Sequence, residues 1–308
     1  MADKTSNTKP TLTGLARRLG KLPSDKKRAA LEISAALAGV SLRVSREFVE
    51  AVPRAARILS ADDLRHWGEL GRRLAMGNAE VGAKFFADGV DRFKQVPEAV
   101  RPVVFQICTR QLVLSSSIAI ETFNLVPRLA VETGDEKLLA DVFNLAAEIA
   151  QRSAKHSSEF LTATTAITRV LVKFGSQKHA VADGIVKLAG EFAKRTGGMT
   201  ADLWSGLPAA LEKLDGANAV ILMARAGEFL EFGGSVTLHF VSSGGDVLES
   251  YQNAFDDWTH LARAIARHGN AVLISFLRAT PKFLKSHQSG RGLSSVDVRY
   301  VMQLTAKI

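Results

Sequence analysis

Cysteine is almost missing: Cys108 is the one cysteine in 308 residues. That excludes an internal disulfide framework and fits a reducing compartment, so a cytoplasmic location is expected. Tyrosine is nearly as scarce, which argues against a Tyr-rich recognition surface. The chain opens Met1-Ala2-Asp3-Lys4-Thr5, without a basic-then-apolar leader, so no secretory signal is expected. No long hydrophobic run is present either. The best stretch, residues 103–120, is interrupted by Arg110 and many hydroxyls, whereas a span needs roughly 20 nearly uninterrupted apolar residues.

Motifs that carry chemistry are equally scarce. There is no Walker loop, dinucleotide fingerprint, His-Glu-x-x-His or Gly-x-Ser-x-Gly. Ser24-Asp25-Lys26-Lys27 has the Ser-x-x-Lys spacing of penicillin-interacting enzymes, but Ser24 reads better as a helix cap before a basic first helix. His260 and His268 share roughly one helical face, without the closer spacing and further ligands of a metal pair. No catalytic, cofactor-binding or metal-binding residue is assigned, and no cofactor is expected.

What is present is a repeat. Phe48, Phe85, Thr122, Phe160, Leu203, Phe240 and Phe276 follow one another at roughly 37 residues, with one step longer by about six; such an interval marks a repeat array. Eighteen residues earlier stand Ala30, Trp67, Val104, Val142, Ile185, Leu222 and Trp258. Fourteen earlier stand the small residues Ser34, Gly71, Cys108, Ala146, Ala189, Ala226 and Ala262. Seven earlier come the turn or cap residues Ser41, Asn78, Ser115, Ser153, Thr196, Gly233 and Gly269. Five later come Pro53, Val90, Pro127, Thr165, Pro208, Gly245 and Pro281.

The second copy shows the logic. Ser60 and Asp63 make a helix start, and Leu64, Trp67, Leu70, Leu74 and Ala75 share one face. Gly77-Asn78 breaks the helix, and Val81, Phe85, Phe86 and later Phe93 give a second helix its buried stripe. A turn this short forces the two helices antiparallel. The small column allows close backbone approach, and Cys108 fits it as a buried filler. The proline column either kinks the second helix or marks a boundary with proline at the first helical position. Gly233-Gly234 and Gly244-Gly245 fall in the turn and breaker columns, so they need no phosphate loop.

The expected fold is all-α: a right-handed α-solenoid of about seven antiparallel helix pairs, a superhelix like those of HEAT or TPR repeats. Residues 1–23 are expected to be a basic, disordered arm and residues 24–287 the solenoid. The long step suggests an enlarged loop or hinge near 172–179. Residues 288–308 read as a linker and a capping helix, or the first helix of an eighth unit. The net charge of +9 sits at the ends: about +7 in residues 1–60, about +4 in 281–308 and about −2 between.

The repeat resembles the helical region that precedes the von Willebrand factor A domain in bacterial adaptor proteins, those of rubisco activase and of nitric-oxide-reductase activation. The resemblance rests on Trp67…Gly71…Leu74-Ala75…Phe85-Phe86 and Trp258…Ala262…Ile265-Ala266…Phe276-Leu277…Pro281-x-x-Leu284. It implies a non-enzymatic scaffold or adaptor, with a MoxR-type AAA+ ATPase or a von Willebrand factor A domain protein as partner. The metal-dependent adhesion motif of those proteins, Asp-x-Ser-x-Ser, does not occur here.

Two other functions compete. A nucleic-acid-binding repeat protein would use the basic ends, but its expected ladder of cations is broken: Arg54, Arg128 and Lys282 share a column with Asp91 and Asp246. A glycosylase-like enzyme would need Trp67 or Trp258 in an open groove. Both lie in a column of aliphatic residues, so burial is expected instead.

Overall fold

A computed structural model of the chain describes Arg17 and residues 19–287. Most of the predicted basic arm, and all of the linker and capping helix at 288–308, lie outside the described residues. Among these every regular element is helical, with no strand. No described helix is long and apolar enough to cross a membrane. The chain divides into two compact units, one through Glu136 and one from Lys137.

The first unit contains α1 (Ser24–Ala38), α2 (Leu42–Ala55), α3 (Ala61–Gly77), α4 (Ala79–Ala87), α5 (Arg101–Leu114) and α6 (Ser116–Thr133). They pair as α1/α2, α3/α4 and α5/α6, with α3 also against α1 and α5, and α2 against α4. Local chemistry explains the boundaries. At the start of α3 the Ser60 hydroxyl accepts from the Asp63 N–H at 3.0 Å, and the Asp63 carboxylate accepts from the Ser60 N–H at 3.3 Å. This reciprocal box satisfies two orphan donors of the first turn. Asn78 closes α3 and opens α4, its Oδ1 accepting from Glu80 and Val81. Ser24 does not act as a cap: it is the first residue of α1, and Pro23 before it makes no side-chain cap bond.

The second unit contains α7 (Glu136–Ala150), α8 (Ala154–Val172), α9 (Lys178–Thr196), α10 (Thr200–Leu211), α11 (Gly216–Glu228), α12 (Gly234–Tyr251), α13 (Phe255–Ala266) and α14 (Asn270–His287). Helices α8, α10, α12 and α14 pack in succession, and α9 packs on α11. The Ser157 hydroxyl of α8 donates to the Ala146 carbonyl of α7 at 2.9 Å.

The recurring columns are the core. All seven residues of the Phe48 column and all seven of the Trp67 column are buried. So is the small column, apart from half-buried Ser34, whose hydroxyl meets that of Ser45 at 3.0 Å. The same aromatic triad appears in each unit. Trp67 lies 5.5 Å from Phe48 and 6.2 Å from Phe85, and Trp258 lies 5.1 Å from Phe240 and 6.5 Å from Phe276. Each Trp therefore touches one anchor from the hairpin before it and one from its own. Burying such large side chains supplies about 1.5–3 kcal/mol apiece, the main favourable term for a chain of this composition.

Three of the expected features take a definite form in the fold. First, Phe93 is not on the second helix of its copy. Helix α4 stops at Ala87, Gly89 takes φ +77°, and Phe93 enters the core from a 3-10 turn at Asp91–Gln95. It stacks on Phe123 at 4.6 Å and Phe105 at 5.4 Å, so burial survives the loss of helix. Second, Pro53, Pro127, Pro208 and Pro281 lie inside helices rather than at a first helical position. The interval from helix start to proline is the same for Leu42–Pro53, Ser116–Pro127 and Asn270–Pro281, and it recurs as Ala154–Thr165 and Gly234–Gly245. At Gly245 the reason is visible: an added Cβ would lie 3.0 Å from the Ala210 carbonyl oxygen of α10.

Third, the connector at residues 172–179, expected as an enlarged loop or a hinge, lies within the second unit. A 3-10 turn at Gly175–Gln177 joins α8 to α9, and Phe174 is buried. The Lys173 ammonium donates to the Glu212 carbonyl. Gln177 packs so closely on Gly216 that no Cβ fits there.

Candidate functional site

Several charged side chains link neighbouring helices. Arg65 meets Glu32 at 3.5 Å, Arg225 meets Asp256 at 3.0 Å, and Arg263 meets Glu228 at 3.1 Å. The interrupted cation column is itself paired: Arg54 lies 3.6 Å from Asp91, and Lys213 bonds Asp246. These are exposed pairs of small individual worth. Arg101 differs. It is buried, donates to the Ile58 carbonyl at 2.6 Å and the Val96 carbonyl at 3.0 Å, and lies 3.8 Å from Asp63. It ties the irregular stretch before α5 to the start of α3.

The residues singled out for chemistry stand apart. His260 and His268 are exposed, and no group of three or more potential metal ligands occurs among the described residues. Trp67 and Trp258 are fully buried and face no groove. Cys108 is buried, and desolvation pushes its thiol up to about 12. A thiol held protonated is a poor nucleophile, in keeping with its role as filler.

The surface is unusual at one place, the hairpin-turn edge of the first unit. Large apolar side chains stand in the open beside three successive turns. Leu42 is 78% exposed, Met76 63%, Val113 75% and Leu114 57%. The turns joining α3 to α4 and α5 to α6 flank a groove of about 680 Å³. Its walls include Arg73, Met76, Asn78, Val81, Val113 and Ser115. Helix caps fix both flanking turns. Asn78 and Ser115 hold the first turns of α4 and α6, Ser115 accepting from the Ile118 N–H at 3.5 Å.

Compared with protein-family models, curated proteins and solved structures, the chain matches none.

Positive charge is in excess around Glu69 on α3, while Glu80 stands exposed in the first turn of α4. Glu69 takes two cations: Arg72 through paired bonds at 2.7 and 2.9 Å, and Arg73 Nε at 2.8 Å. The Arg72 hydrogen bond, partly opposed by burial, holds the Glu69 carboxyl below its usual range, with Arg73 adding to the effect. One carboxylate between two guanidiniums leaves a net positive charge. Arg72 Nη1 also reaches the Met76 sulfur at 3.3 Å, which orients that side chain at the groove rim.

The equivalent turns of the second unit are polar. Gln151 and Arg152, Lys194 and Arg195, Glu231, and Arg267 and His268 stand exposed there. Val272 is 44% exposed beside the Gly269 turn, but among the described residues the larger apolar exposures at these turns lie in the first three hairpins. Sequence reading passed over Leu42, Met76, Val113 and Leu114 because they fall in no buried column. The available signal was apolar residues next to the cap positions Ser41, Asn78 and Ser115, where packing asks for none.

Proposed function

We propose that this chain is an α-solenoid of about seven helical hairpins that acts as a non-catalytic scaffold or adaptor, offering the turn edge of its first unit to a protein partner. The observation that carries this reading is the exposure of Met76, Val113 and Leu114 at a groove, with Leu42 open on the neighbouring turn. An apolar patch rimmed by polar residues marks an interaction site more often than idle surface. Burial of the seven-fold columns supports the repeat reading, because stacked hairpins need those side chains to exclude water between neighbours. The resemblance to the adaptor helical regions makes a MoxR-type AAA+ ATPase, or a von Willebrand factor A domain protein, the first partner to try.

The test is capture from the native cell with the unaltered chain and with the double variant Met76→Asp, Val113→Asp. The reading expects a discrete protein retained by the first and lost by the second. Equal retention by both overturns it. Binding to nonspecific DNA that falls steeply with salt, and is indifferent to the double variant, would favour the nucleic-acid alternative.

A further inference from the structure

We propose that the groove between the α3/α4 and α5/α6 turns receives a short protein segment whose apolar side chains are flanked by carboxylates. This deepens the scaffold reading and rests on it. Three observations carry the chemistry.

The first is the lining. Met76, Val81, Leu112, Val113 and Leu114 give the groove an apolar floor and lip, open to solvent and large enough for a few side chains. Methionine on the rim adapts its shape to what it meets.

The second is charge. Among the residues lining the groove Arg73 alone is ionised. Its Nε is taken by Glu69, but its two Nη groups have no partner among the described residues, and the side chain is 44% exposed. The free end of a guanidinium is a planar fork that matches a carboxylate with two parallel hydrogen bonds. Glu69 orients this fork from behind without neutralising it, because the same carboxylate also serves Arg72.

The third is the surrounding edge. Arg43 stands exposed beside Leu42 on the neighbouring turn. The nearest acid along α4, Glu80, is not among the groove's lining residues. A segment with acids on either side of its apolar residues meets Arg73 in the groove and no acid among its lining residues, with Arg43 further along the edge. A basic segment meets repulsion there. A lipid surface fits less well, because the apolar residues line a concavity that includes Asn78, Ser115 and Ser116 rather than a convex apolar face.

The experiment uses the full chain and two labelled synthetic peptides of equal length. Both carry Leu and Phe at helical spacing; one is flanked by Glu and Asp, the other by Lys. Fluorescence anisotropy is read at low and physiological salt. The acidic peptide is expected to bind at least about tenfold more tightly than the basic one, a difference of about 1.4 kcal/mol. Arg73→Glu should reverse that order, a result that mere structural damage would not produce. Met76→Asp with Val113→Asp should abolish binding of both peptides, with an unchanged thermal melt because these positions are exposed.

Equal affinity for the two peptides, no effect of Arg73→Glu, or no binding of either peptide overturns the proposal. So does Met76- and Val113-dependent binding to phosphatidylserine vesicles, or a dimer of the chain that the double variant dissolves. If the charge preference fails while capture from the cell still depends on Met76 and Val113, this inference falls and the scaffold reading stands.

Discussion

Gly71 of α3 lies directly beneath the ring of Phe86 in α4. A Cβ at position 71 would sit 2.0 Å from the ring Cζ, and Phe86 is fully buried against Phe48 and Trp67 and has no room to yield. Helix propensity alone would favour alanine by about 1 kcal/mol. Overpacking of this severity outweighs it. Gly71→Ala is expected to destabilise the chain by roughly 1–3 kcal/mol in urea titration. Gly82→Ala should do the same, since its Cβ would meet the backbone of Ala75 at 2.8 Å. A stabilised variant at either site would disprove the contact.

Arg101 is the second test. Its removal leaves the Ile58 and Val96 carbonyls without this donor and takes from buried Asp63 its nearby cation, with the Ser60 N–H still bonded. Arg101→Ala is expected to cost about 3–5 kcal/mol, far more than the exposed pair Arg128–Glu132, whose loss should cost less than about 1 kcal/mol. Denaturant midpoints of the two variants make the comparison.

Cys108 predicts a pH dependence. The unfolded thiol ionises near 9.0, whereas the folded one stays protonated to about 12. Between those values the native state holds a proton that the unfolded state has lost, so stability falls as pH rises, by up to about 1.4 kcal/mol per unit. Below that window the thiol contributes no slope. Cys108→Ala, which installs the residue found at Ala146 and Ala189, should flatten the curve above pH 9. A native chain that reacts readily with a thiol reagent at neutral pH would contradict the burial.

The tryptophans differ in their polar ends. Trp204 Nε1 donates to the Thr164 hydroxyl at 3.1 Å, whereas the buried Nε1 of Trp258 has no acceptor among the described residues. Both rings are fully buried. Trp204→Phe should therefore cost about 1 kcal/mol more than Trp258→Phe, the worth of one hydrogen bond. Equal losses on thermal melting would count against the assignment.

How much of this could be read beforehand follows from what writes a pattern into a sequence. Trp67, Phe85, Trp258 and Phe276 recur because water must be excluded at the same place in each hairpin, so their burial was legible. Ser60, Asp63 and Asn78 were legible because capping is local chemistry. Phe93 was misplaced because an apolar residue at helical spacing says nothing of whether the helix persists; Gly89, three residues after the last aromatic of α4, was the overlooked stop. The prolines left two readings because the residue's own chemistry permits both, and only the neighbouring turns choose. Arg101 was invisible because it donates to backbone carbonyls, one of them 43 residues away, and these carry no side-chain signature. The exposed edge was missed because a search for recurrence ignores whatever fails to recur.

The side chains of Leu42, Met76, Val113 and Leu114 stand mostly in the open, outside the core of the fold. Their side chains are therefore free to be rewritten without disturbing the spine behind them. Affinity and foldedness become separate dials: an engineer, or natural variation, can retarget the first three hairpins by exchanging a few side chains at their tips while leaving every aromatic triad in place.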